Sequence, residues 1–113
     1  MEEALKYHMR LRLYRTERNF GPGVATLMTL VEKQGSLSAA CKEMHMSYSK
    51  AWKIVKAAET DLGFALMEGS SGGESGGRTV LTTAGSAFLH RYLEFETEVQ
   101  KQVEQLFQKY YNQ

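Results

Sequence analysis

Apolar residues along this chain repeat first at every second position and then at every third or fourth. Met9, Leu11 and Leu13 alternate with Arg10, Arg12 and Tyr14. That period predicts a half-buried N-terminal strand over 9–15 with its basic residues facing out. Gly21-Pro22 ends it, and Pro22 suits a first helical position, where its missing N–H costs nothing. Val24, Leu27, Met28 and Val31 then follow at helical spacing, with Gly35 as a left-handed stop.

Two further helices follow closely. Ser36 can cap a short one in which Leu37, Ala40, Cys41 and Met44 form a narrow apolar stripe. His45-Met46 offers a tight connection, and Ser47 can cap a third helix toward Asp61, with Gly63 as its stop. On a helical wheel Ala51, Val55, Ala58 and Leu62 share the core stripe of this helix. Ser49, Lys50, Lys53, Lys56 and Thr60 gather opposite, and Tyr48 and Trp52 fall at the border. Residues 36–62 therefore read as helix, tight turn, capped helix.

Leu66-Met67-Glu68 and Thr79-Val80-Leu81-Thr82 are strand-like and enclose a stretch in which five of nine residues, Gly69 to Gly77, are glycine. A hairpin over 65–82 with a glycine-rich tip accounts for both flanks. A phosphate-cradling loop does not fit: Arg78 stands where its lysine belongs, and a strand-like run follows where a helix must open. Thr82 or Thr83 can cap a last helix from Ala84 to Tyr110. Its apolar residues Phe88, Tyr92, Phe95, Val99, Val103, Leu106 and Tyr110 recur at spacings of 4, 3, 4, 4, 3 and 4. A seam of about seven turns is longer than one small domain can cover, so part of it is expected to pack against a second copy.

Length changes the picture little: 113 residues, 42% of them hydrophobic, suit one domain with a modest core. Net charge is only +1, but its distribution is uneven. Ser36 to Thr60 carries four lysines against two glutamates, net +2, whereas Ala84 to Gln113 carries three basic and four acidic residues, net −1. A polyanion would therefore meet the middle of the chain. Cys41 stands alone, which suits a reducing compartment and excludes a disulfide framework. No apolar run approaches the length of a membrane span, the polar start is unlike a signal peptide, and a cytoplasmic location is expected.

Two short helices joined by a tight turn, a lysine-rich outer face on the second, and then a hairpin make a winged helix-turn-helix, mainly α with a small β wing. In that geometry the second helix lies in the major groove of double-stranded DNA. Each feature also has a plainer reading. Outer-face lysines are commonly a solvated surface, Trp52 a packing residue, Cys41 a small buried hydrophobe, and the histidines at 8, 45 and 90 show no metal spacing. No nucleophile elbow, metal box or paired-carboxylate motif is present, so enzyme activity is not expected. An interaction module, a winged helix that binds protein instead of DNA, is the alternative, motivated by the modest charge and by Glu74 in the wing tip.

The run GSLSAACKEMHMSYSKAWKIV followed by SSGGESGGRTVLTTAG resembles the N-terminal DNA-binding domain of ModE-type, molybdate-responsive transcriptional regulators, relatives of LysR-type helix-turn-helix domains. The SY-x-x-AW element is Ser47 to Trp52, and the glycine wing with its trailing LT-x-x-G is Gly72 to Gly85. The resemblance implies a homodimer paired through the last helix, with Phe88, Tyr92, Phe95, Val99, Val103 and Leu106 in the seam. It also implies control of molybdate transport or molybdoenzyme genes, and DNA contacts from Ser36, Ser47, Tyr48, Ser49, Lys50 and Lys53, with Arg78 in the wing near the backbone or minor groove; Lys56, on the same outer face, is grouped with them. Regulators of this kind carry a C-terminal domain that binds the oxyanion, and no such domain fits before Gln113. The expectation is a DNA-binding chain without a cofactor; molybdate binding by the chain itself and sensing through a separate sensor protein both stay open.

Overall fold

The computed structural model describes residues 3–17, 19–69 and 77–111. Its elements are helices α1 (Pro22–Gln34), α2 (Leu37–Met44) and α3 (Tyr48–Leu62), strands β1 (Met67–Gly69) and β2 (Thr79–Leu81), and a 29-residue helix, α4 (Thr83–Tyr111). β1 and β2 pair antiparallel with Met67 opposite Leu81 and Gly69 opposite Thr79. The expectation for the glycine tip falls on residues 70–76, outside the described residues.

Helix boundaries follow from local chemistry. Pro22 opens α1, and Gly35 closes it at φ 70°, in the left-handed region that glycine adopts without a Cβ clash. The end of α2 is less usual, because the left-handed position falls on His45 at φ 56°. Met46 N–H donates to Cys41 O at 3.0 Å and His45 N–H to Lys42 O at 3.2 Å, which satisfies the last carbonyls and turns the chain within three residues. At the far end Thr82 caps α4. Its Oγ1 accepts from Gly85 N–H at 2.8 Å and donates to Ala65 O at 2.6 Å, while its own N–H donates to Leu66 O at 3.0 Å.

One core joins α1, α2, α3, the base of the hairpin and the first half of α4. Leu27, Met28, Val31, Leu37, Val55, Leu66 and Leu89 are among its fully buried residues. Phe20 stacks edge-on against Phe88 at 4.8 Å and Tyr92 at 5.1 Å, closing the side where α4 crosses. Gly85 makes that crossing possible: a methyl group there would lie 2.7 Å from the carbonyl carbon of Leu66 and 2.8 Å from its Cα, so α4 rests directly on backbone.

The N-terminal strand expected over 9–15 is not a strand. Its alternation is present, with Met9, Leu11 and Leu13 half-buried and Arg10, Arg12 and Tyr14 exposed. Among the described residues only one antiparallel bridge forms, between Leu13 and Phe20, because the segment lies along α4, where none of them offers a neighbouring strand for a ladder. Tyr92 OH donates to Leu11 O at 2.9 Å and holds the segment from the helix side.

Candidate nucleic-acid interface

α3 is the centre of the site. Its buried residues are Ala51, Val55, Ala58 and Leu62, and their small average size lets the helix sit deep against α1 and α2. Ser47 accepts from Lys50 N–H and Ser36 from Ala39 N–H, both at 3.1 Å, so each predicted cap is made. Tyr48, Ser49, Lys50, Lys53, Lys56 and Thr60 are exposed on the outer face.

The exposed residues are not equivalent. Lys56 Nζ lies 3.4 Å from Glu59 Oε1 and 5.2 Å from the centre of the Trp52 ring, which stands edge-on to Tyr48 at 6.5 Å. Lys56 is therefore engaged within the chain, whereas no ion pair of Lys50 or Lys53 is present among the described residues. Of the three lysines predicted to meet DNA, one is thus held by its own chain and two form no ion pair among the described residues.

The hairpin is braced to α3 and α2 by polar contacts that local sequence patterns do not announce. Glu59 Oε2 accepts from the N–H groups of Leu66 at 2.7 Å and Met67 at 3.4 Å, which fixes the entry to β1. Thr79, buried in β2, donates its N–H to Gly35 O at 3.1 Å, and its Oγ1 accepts from Leu37 N–H at 3.2 Å. An orphan donor in the first turn of α2 is thus satisfied by the hairpin. The Trp52 ring lies against Gly69. Arg78, exposed and one residue before β2, approaches Gly35 at the α1–α2 junction, so its guanidinium sits beside the start of the helix-turn-helix.

On the opposite flank, Asp61 near the end of α3 accepts from three successive backbone N–H groups, Arg15 at 2.7 Å, Thr16 at 2.8 Å and Glu17 at 2.9 Å. These hydrogen bonds, with Glu17 contributing most, hold its carboxyl below the usual range. Arg15 Nε also donates to Leu62 O at 3.0 Å. Burial pushes the Cys41 thiol up, in keeping with a small core residue. No group of His, Cys, Asp and Glu among the described residues could hold a metal ion.

The expected seam divides in two. Tyr92 is 1% exposed and Phe88 packs against Phe20 and Phe64, so both belong to the core of this chain. One apolar stripe is buried over its first half and more exposed beyond, and periodicity could not separate the two. Farther along, Phe95 is 47% exposed and Leu106 52%, with Val99 and Val103 half-buried between them. From the described residues before Met9, Tyr7 packs on Phe107 at 4.8 Å and donates to Glu104 Oε1 at 2.9 Å, on the neighbouring flank. Where the seam leaves the body, Leu13, Phe88, Arg91 and Phe95 line an apolar depression of 390 Å³.

A capped helix carrying exposed ammonium groups, set by a tight turn on a second helix and flanked by a hairpin, defines a winged helix-turn-helix DNA-binding domain. Residues 25–86 match the family described as bacterial regulatory helix-turn-helix protein, lysR family, and the chain belongs to it. It is similar to the molybdenum-pterin-binding protein MopB of Rhodobacter capsulatus, 35% identical over 79% of this chain and 33% of the relative. It is also similar to the molybdenum transport protein ModE of Azotobacter vinelandii, 29% identical over 74% of this chain and 31% of the relative. The chain thus spans about a third of the length of these curated relatives. Among solved structures, the CbnR_DBD-DNA complex matches with a TM-score of 0.57 and 30% identity, covering 74% of this chain and 94% of that one. No helix among the described residues is long and apolar enough to cross a membrane.

Proposed function

We propose that this chain is the sequence-specific DNA-binding unit of a transcriptional regulator of molybdate-related genes, and that it works as a homodimer. The observation that carries the DNA reading is the outer face of α3: two lysines without an ion pair among the described residues, beside capped helix starts, between a braced hairpin and the tight turn. Lys50 and Lys53 face the major groove, Ser36, Ser47, Tyr48 and Ser49 approach the backbone or base edges, and Arg78 reaches backbone from the hairpin. Lys56 supports the face by holding Trp52 and Glu59 in place. The molybdate connection is supported by the names of the relatives MopB and ModE. Dimer formation through Phe95, Val99, Val103 and Leu106 is supported by the exposure of Phe95 and Leu106, with the half-buried Val99 and Val103 between them, on one helix that runs past the body.

The test is a fluorescence-anisotropy titration of the wild-type chain and Lys53→Ala against DNA from upstream of its own gene and of molybdate-transport genes, with scrambled duplexes as controls. One upstream sequence is expected to bind well above the controls at raised salt, and Lys53→Ala to weaken it by about 1 to 3 kcal/mol. Equal binding to every duplex, lost together as salt rises, would leave only a generic polyanion surface.

A further inference from the structure

The family match begins at residue 25, and the basic segment before it lies outside that match. Met9 to Glu17 carries Arg10, Arg12 and Arg15 against Glu17, net +2, in a chain whose total is only +1. Arg10 and Arg12 line a groove of 250 Å³ that reaches across Gly23 in α1 to Met46 in the turn and Ile54 in α3, and among the described residues no carboxylate lines it. We propose that this groove is a second phosphate site, and that Arg10 and Arg12 hold the DNA backbone strand on the side of α3 away from the hairpin. The proposal rests on the DNA-binding reading above.

The two flanks of α3 carry the argument. Trp52 borders the exposed face on one side and lies against Gly69 of the hairpin. Ile54 borders it on the other side and forms part of the arginine-lined groove. At 100° per residue these two side chains stand on opposite margins of the face that presents Ser49, Lys53 and Thr60. An α-helix with its side chains is about 10–12 Å across and the major groove is about 12 Å wide, so a helix seated there has a sugar-phosphate strand along each margin. Arg78 and the hairpin meet one strand; Arg10 and Arg12 meet the other. Guanidinium groups suit this role because they present planar forked donors to phosphate oxygens. Asp61 holds residues 15–17 against the end of α3, which fixes the basic segment beside the helix without placing a carboxylate in the groove.

The experiment compares the full chain with Arg10→Ala/Arg12→Ala and, separately, Gly23→Glu, titrating each against a fluorescein-labelled mixed-sequence duplex of about three helical turns (~30 bp) over a series of salt concentrations. The glutamate brings negative charge into the groove, and space is open where its Cβ would lie, so it leaves the packing of Arg12 beside Gly21 untouched. Thermal unfolding checks that each variant is folded. Loss of each phosphate contact is expected to make the slope of log K against log salt shallower by about 0.9. The double variant should therefore flatten the slope by about 1 to 2, both variants should weaken binding, and a preference among duplex sequences should stay the same. Folded variants that match the wild type in affinity and slope overturn the second phosphate site, as does a changed sequence preference at constant slope. A wild-type chain that does not bind the duplex overturns the DNA reading itself, and the two failures are thereby distinguished.

Discussion

α3 and the far half of α4 are both amphipathic helices with an exposed face, yet the faces differ in kind. α3 turns cationic and hydroxyl groups outward over a stripe of alanine, valine and leucine that is entirely buried. Beyond Leu93, α4 turns Phe95 and Leu106 outward, and about half of each side chain stays exposed. A face of charge is already stable in water and gains from a partner only where the partner carries opposite charge. An apolar face remains costly until it is buried. The difference is what the proposed function draws on, with a polyanion for α3 and a second copy of the chain for α4.

The largest expected effect removes both faces at once. Gly85→Ala pushes a methyl group into the backbone of Leu66, and overpacking of this kind costs about 3 kcal/mol; chemical denaturation should show the loss. Next, Val99→Glu combined with Leu106→Glu is expected to abolish the proposed dimer in light scattering while leaving the unfolding of the monomer nearly unchanged, because neither residue enters the core. A protein that stays dimeric would detach the far half of α4 from the interface. Tyr92→Phe deletes the hydrogen bond to Leu11 O and should cost about 1 kcal/mol with the dimer intact, which separates the buried half of the helix from the exposed half.

Tyr92 also sets an alkaline limit. Burial, aided by the nearby charge of Glu96, pushes its hydroxyl up to about 12 from an ordinary 10.0. The folded form keeps its proton where the unfolded form loses it, so this contribution is complete below pH 10 and is lost as pH rises from there toward 12. The smallest effect is acidic. The Asp61 carboxylate is held below its ordinary 3.8, so its contribution is complete above that value and is lost as pH falls below it. In Asp61→Ala the melting temperature should depend less steeply on pH in that range, and the clasp on residues 15–17 should loosen.

Much of α3 was legible in the sequence because a helix repeats its environment every third or fourth residue. Ala51, Val55, Ala58 and Leu62 announce their face by spacing alone, and Ser36 and Ser47 announce the helix starts. The braces were not legible. Thr79 looked like an ordinary β-branched strand residue, and its partners, Gly35 O and Leu37 N–H, are backbone groups some forty residues earlier. Asp61 was read only as the end of a helix, although its three partners lie in the N-terminal segment. No local pattern carries such contacts, since any residue can supply a backbone N–H. The stripe on α4 failed differently: periodicity locates an apolar face but not which body buries it, so Phe88 and Tyr92 were grouped with Phe95 and Leu106.

The most direct test of the difference between the two helices is an amide chemical-shift map of the folded chain during titration with an upstream DNA duplex. The account predicts large shifts at Tyr48 to Thr60, at Arg78 and along Arg10 to Arg12, with Val99 to Tyr110 nearly unmoved. Shifts concentrated on Val99 to Tyr110 with α3 unaffected would contradict it.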